Sequence, residues 1–192
     1  MPPVRETGDH VLRCTAGLVL ALLSVLSAPL AAQPAAMTTG PAIAGFGPAA
    51  RVDSDMPIPP DTMFRIAFDV SEENTTDRPL RGFESLARFI NMHVAAGVPE
   101  DRIRLALVVH GKASFDLLTD SAHRARFDGR PSPSGALIAD LQKHHVRVIV
   151  CGQSAAALGI AKADLMPGVE LALSAMTAHA LLQQEGYTLN PF

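Results

Sequence analysis

The run Arg104–Val109 (RLALVV) is apolar almost throughout and stops abruptly at His110-Gly111. A short strand reads this way when both of its faces are covered, which marks it as the centre of a parallel sheet with helices packed on it. Two further segments join it. Met63–Val70 (MFRIAFDV) alternates, setting Phe64, Ile66, Phe68 and Val70 on one side and Arg65 and Asp69 on the other, as a strand does. Val146–Cys151 (VRVIVC) is the third strand, Val169–Leu173 a short fourth, and Tyr187–Leu189 an edge piece.

Between the strands the period changes to that of helices. Within Gly82–Ala96 the residues Phe83, Leu86, Ala87, Ile90 and Val94 recur at three- and four-residue steps, and Gly97 ends the helix. Ser132-Pro133-Ser134 opens a second helix, with Leu137, Ile138 and Leu141 inward and Lys143, His144 and His145 at its cationic end. Gln153–Leu158 is a third, stopped by Gly159, and a last one runs from Ser174 or Ala175 to Gly186. Residues 112–130 read as short helical turns around a lid. Strands alternating with helices predict right-handed crossovers and an α/β fold, a mostly parallel sheet of about five strands between helix layers.

Ahead of this domain lie two segments of other character. Arg5 and Arg13 precede an apolar run from Ala16 to Leu30, closed by Ala31 and Ala32. That order is a secretory signal peptide, so residues 1–32 are expected to be removed on export to a periplasmic or secreted location, with no stable membrane insertion afterwards. The run, broken by Ser24, Ser27 and Pro29, is shorter than the roughly 20 residues that span a bilayer. Residues 33–61 hold Pro34, Pro41, Pro48, Pro57, Pro59 and Pro60, which reads as a linker or surface arm ahead of the domain at 62–192.

A formal charge of −3 and aromatics at 5% supply neither the positive field nor the stacking platforms of a nucleic-acid binder. Of the two cysteines, Cys14 falls in the leader, so the mature chain holds Cys151 alone. No CxxC, phosphate loop, GxSxG or HExxH is present. His93, His123, His144, His145 and His179 show no ligand spacing, so no metal is expected.

In parallel sheets ligands gather beyond the carboxyl ends of the strands, where His110 and Cys151 stand. Cys151 is followed by Gly152-Gln153-Ser154 and a run of alanines, placing its sulfur where a strand hands over to a helix N-terminus. Free amides and the helix dipole there favour thiolate, which makes Cys151 a nucleophile or sulfur carrier open at a crevice mouth. The other reading is that it completes an apolar strand, as unpaired cysteines often do. His110 either orients or deprotonates a group bound near Cys151, or is a strand-end histidine tied to a loop. Gly111, Gly152, Gln153 and Ser154 are the candidate ligand-binding loops.

The wording ALVVHG at 106–111, VIVCGQSAAALGI at 148–160 and LMPGVELALSAMTAHALLQQEGY at 165–187 resembles the DsrE/DsrF-like family of sulfur-relay proteins, in its exported single-domain branch. NMHVAAGVP at 91–99 and FDV at 68–70 fit the same branch, and the likeness covers roughly Asp61–Phe192. The resemblance implies a three-layer αβα subunit, assembly into trimers or hexamers, and a strand-end cysteine that carries persulfide sulfur. Cys151 matches that cysteine by position, whereas His110 and Gln153 belong to the wording of the branch and not to the relay mechanism.

Three functions follow. Either an oligomer presents Cys151 to accept and pass on sulfane sulfur with no cofactor, or the chain is a non-enzymatic module binding a small anion or metabolite at the Gly111 and Gly152 loops, or it is a purely structural oligomer. The last helix, with Leu173 just before it, carries Ala175, Met176, Ala178, Ala180, Leu181 and Leu182 around much of its circumference, more than one small subunit can cover. That points to a homo-oligomer, unless the helix is buried within one monomer.

Overall fold

The computed structural model describes residues 1–3 and 34–190, so the signal-peptide segment lies outside the described residues apart from its first three. The main elements run β1 (Phe64–Val70), α1 (Arg81–Ala95), β2 (Ile103–Val109), a 3-10 stretch (Gly111–Leu117), α2 (Asp120–Arg126), α3 (Gly135–Lys143), β3 (Arg147–Cys151), α4 (Gly152–Ala157), β4 (Val169–Ala172), α5 (Ala175–Gln184) and β5 (Thr188–Asn190). The sheet has the order β4-β3-β2-β1-β5. Every pairing is parallel, with Phe64 to Val70 of β1 in register with Ile103 to Val109 of β2. This is the α/β sandwich expected, and β2 sits at its centre.

Strands β1 to β4 step in one direction, and the last crossover returns past all of them to place β5 beside β1. Such a path, with right-handed crossovers, puts the first helices on one face and α5 on the other. The packing agrees. On one face Phe68, Val70, Leu105, Leu107, Val109, Val148 and Val150 meet Phe83, Leu86 and Ile90 of α1 and Leu137, Ile138 and Leu141 of α3. On the other, Ala67, Ala106, Val108 and Ile149 meet Ala178 and Leu182 of α5, with Ala172, Ala175 and Tyr187 packed against them. One helix therefore covers that side, and Leu171, Leu173, Met176, Leu181 and Leu189 stay exposed.

Two segments differ from the sequence expectation. Residues 112–130 do form short helical turns, but they are no lid, since Ala113, Leu117 and Leu118 lie in the main core at 1% exposure or less. Ser134 precedes α3 as a cap would, yet its hydroxyl donates to Asp116 Oδ1 (2.6 Å) and accepts from the Leu80 amide (3.3 Å), joining three segments instead of capping one.

The proline-rich segment is tied to α1 by Arg88, whose Nε donates to the Pro48 carbonyl (2.9 Å), and above all by Asn91. Asn91, fully buried, accepts from the Ile43 amide (2.8 Å) and donates to the carbonyls of Ile43 and Phe46 (both 3.0 Å). Beyond its own Thr38–Ala49 and Gly40–Ile43 backbone bonds, the segment thus satisfies main-chain groups through an amide side chain, while Ile43 enters the main core. Gly47 makes this approach possible, because a Cβ there would lie 2.2 Å from the Arg88 nitrogen.

Candidate functional site

An all-parallel sheet brings the carboxyl ends of its strands to one edge. Asp69 lies one residue before the end of β1, His110 directly after β2, Cys151 at the end of β3, and Ser174 two residues after β4. His179 comes from the second turn of α5. Asp69, His110, Cys151, Gln153 and His179 line one cleft of about 380 Å³, together with Ser174, Ala175, Met176 and Leu189.

Cys151 sits at the cleft largely buried, at 6% exposure, and not open at its mouth. Burial pushes its thiol up. The Ser154 amide and hydroxyl and the amides of Ala175 and Gln153 outweigh this and hold the pKa below the ordinary cysteine value. Gln153 and Ser154 open α4 and Ala175 opens α5, so two helix starts converge on one sulfur. The side chain of Ser174 accepts from the Thr177 amide (3.0 Å), which fixes the start of α5 and with it the Ala175 amide. Burial and activation, which the sequence posed as alternatives, therefore coexist.

The glycine loops serve this arrangement from within. The Gly111 amide donates to Ser154 Oγ (2.9 Å), leaving the Ser154 hydrogen free for the sulfur. At Gly152 a Cβ would lie 2.5 Å from the Ala172 carbonyl oxygen and 3.2 Å from that of Leu173, so only glycine lets α4 start against the end of β4. Gln153 donates from Nε2 to the Leu173 carbonyl (3.2 Å), bracing the same junction. The amide of Gly111 is thus already paired, and Gly152 is held by the close approach of β4.

The groups that hold the sulfur are amides and a hydroxyl, and His110 is not among them. His110 Nε2 lies 3.0 Å from Asp69 Oδ2, and His179 Nε2 lies 2.7 Å from Asp69 Oδ1. Burial raises the Asp69 carboxyl, but the bonds from His179 and His110 and the charges of those rings bring it below its ordinary value. Asp69 and His179 were not singled out by the sequence. Asp69 read only as the polar side of β1, and the spacing that brings His179 one turn beyond Ala175 has meaning only once Ala175 is seen at the sulfur. Among the described residues no group of three or more His, Cys, Asp and Glu side chains is arranged to hold a metal ion.

The comparisons extend these observations. A solved structure of a protein of unknown function from Methanobacterium thermoautotrophicum has the same fold, with a TM-score of 0.50 and 19% identity over 66% of this chain and 97% of that one. No curated protein matches. The model of the DsrE/DsrF-like family matches residues 65–191, which is well over half of the sequence and takes in β1 to β5 and the whole cleft. On that match the chain belongs to the DsrE/DsrF-like family, whose general association is with sulfur relay.

Proposed function

We propose that the protein is a sulfur carrier whose Cys151 thiolate takes up sulfane sulfur, holds it as a persulfide and passes it on. The observation that carries this is the set of four donors, three amides and the Ser154 hydroxyl, around a sulfur that borders a cleft. A thiolate is the form that attacks sulfur, and a hydrogen-bonded pocket raises its share above that of an ordinary cysteine. In the loading step Sγ attacks the outer sulfur of the donor, a new S–S bond forms, and the donor's own sulfur leaves with the bonding pair. Delivery is the reverse event on an acceptor thiolate, so no cofactor takes part.

Low exposure at Cys151 supports the same reading, since a persulfide open to solvent is lost to oxidation. The exposed Leu171, Leu173, Met176 and Leu189 fit association with further copies of the chain, and we propose a homo-oligomer of the exported mature protein, a trimer or hexamer. Sedimentation of the chain from residue 33 tests the assembly, and a monomer overturns it. Mass spectrometry after incubation with polysulfide tests the function. The expected result is added sulfur on Cys151 that reductant removes and that a Cys151→Ser protein lacks; equal labelling of that variant overturns the proposal.

A further inference from the structure

We infer that Asp69 makes the Cys151 cleft a charge filter, admitting sulfur donors that arrive uncharged and turning away sulfur oxyanions such as thiosulfate. The inference rests on the carrier reading and adds the class of small molecule that the cleft takes.

The argument starts from hydrogen placement. Asp69 is held ionised by its surroundings, and an ionised carboxylate only accepts, so the facing Nε2 atoms of His179 (2.7 Å) and His110 (3.0 Å) both carry hydrogens. Each ring is then left with Nδ1. In His179 that atom is buried with no partner, and a second hydrogen there would be a buried donor without an acceptor.

Asp69 is the one carboxylate among the lining residues, and beyond the two rings that face it the lining holds no basic side chain. Gln153, Ser174, Ala175, Met176 and Leu189 complete the wall, with no Lys or Arg among the lining residues. The amides at the helix starts, which would otherwise receive an anion, are directed to the Cys151 sulfur, and that of Gly111 is held by Ser154. An entering dianion thus meets the Asp69 carboxylate, and the thiolate when Cys151 is deprotonated, with no Lys or Arg to offset them in a partly enclosed space, where like charges repel more strongly than in open water. A small organic sulfur compound meets instead the apolar surface of Ala175, Met176 and Leu189.

The chemistry matches a protonated organic hydropersulfide, R–S–SH. The Cys151 thiolate attacks the outer sulfur, the bond from Sγ to that sulfur forms, and the S–S bond of the donor breaks with its electron pair leaving on R–S⁻. The hydrogen stays on the transferred sulfur. The products are Cys151–S–SH and R–S⁻, with no net oxidation or reduction.

The filter is read with two alkylating probes that differ in charge alone, iodoacetamide and iodoacetate, and separately with two sulfur donors, benzyl hydropersulfide and thiosulfate. All rates at Cys151 of the purified chain are divided by those of free cysteine under the same conditions. The expected preference for the neutral over the anionic probe is about tenfold or more, falling severalfold in Asp69→Asn and in Asp69→Leu. In the unsubstituted protein the same preference should shrink between about 0.01 M and 1 M salt, as the screening length falls from roughly 30 to 3 Å. A preference equal to that of free cysteine, or one unmoved by both substitutions and by salt, overturns the filter. The two readings separate cleanly. Charge selection without sulfur loading refutes the carrier and leaves the filter, whereas equal loading from both donors with no charge selection refutes the filter and leaves the carrier.

Discussion

Replacing Gly152 by alanine tests whether the junction of β3, α4 and β4 is what presents the sulfur to its donors. The added Cβ would stand 2.5 Å from the Ala172 carbonyl oxygen, against an ordinary contact of 3.4 Å or more, so the end of β4 must retreat by about 0.9 Å. Both obstacles are backbone carbonyls, of Ala172 and Leu173, and neither can turn aside as a side chain would. Overpacking of this kind costs about 1–3 kcal/mol. The retreat also carries Ser174 and Ala175 away, because they follow β4 directly, and the Ala175 amide is one of the donors to Cys151. A hydrogen bond to a charged group contributes about 1.5 kcal/mol at the low end, which corresponds to about tenfold less thiolate at neutral pH. Urea denaturation and the pH dependence of alkylation by iodoacetamide measure the two effects on one preparation. A Gly152→Ala protein that keeps both its stability and its alkylation profile would refute the reasoning.

Three further outcomes are expected. Ser154→Ala removes the hydroxyl donor to Cys151 and leaves the Gly111 amide without its acceptor, so Cys151 alkylation at neutral pH should slow about tenfold while the fold survives, as seen by circular dichroism. Asn91→Leu strips the partner from the Ile43 amide and from the Phe46 carbonyl and leaves the Ile43 carbonyl with the Gly40 amide alone; it should cost about 2–4 kcal/mol in urea denaturation and expose residues 35–61 to protease, and resistance equal to the parent protein contradicts this. For Asp69 the sign follows from a folded pKa below the unfolded one. The carboxylate contributes stability that is complete above the unfolded carboxylate range, near 3.9, and is lost as pH falls through the lower folded value, so Asp69→Asn should flatten the acid limb of a stability-against-pH curve.

The fold was legible where burial writes itself into one dimension. The unbroken apolar run of β2, the alternation in β1 and the spacing of Phe83, Leu86, Ala87 and Ile90 in α1 each declare a face, and the structure uses those faces. Residues 112–130 were read as a lid because a strand-sized or helix-sized period is missing there. The segment instead adds Ala113, Leu117 and Leu118 to the core from 3-10 geometry, which has no long periodic signature.

Asn91 was invisible for a related reason. It lies on the buried stripe of α1, and only its partners in residues 43–46, distant in sequence, explain a polar side chain there. At the site, Cys151 and Ser154 were found because a strand end and a helix start adjoin in the sequence. Asp69, Ala175 and His179 were missed because three strands and a crossover separate them, and what unites them is the strand order β4-β3-β2-β1-β5. Gly111 and Gly152 were read as loops for a ligand; in the structure the amide of one donates to Ser154 and the other makes room for β4.

Direct titration of the Cys151 thiol tests the account most closely, followed as the rate of alkylation against pH in the chain from residue 33 and in a Cys151→Ser control that reports any background. The account predicts a midpoint below that of an ordinary cysteine, because the amides of Gln153, Ser154 and Ala175 and the Ser154 hydroxyl outweigh the burial of the sulfur. A midpoint at or above the ordinary value would contradict it and return Cys151 to the role of a small apolar residue closing β3.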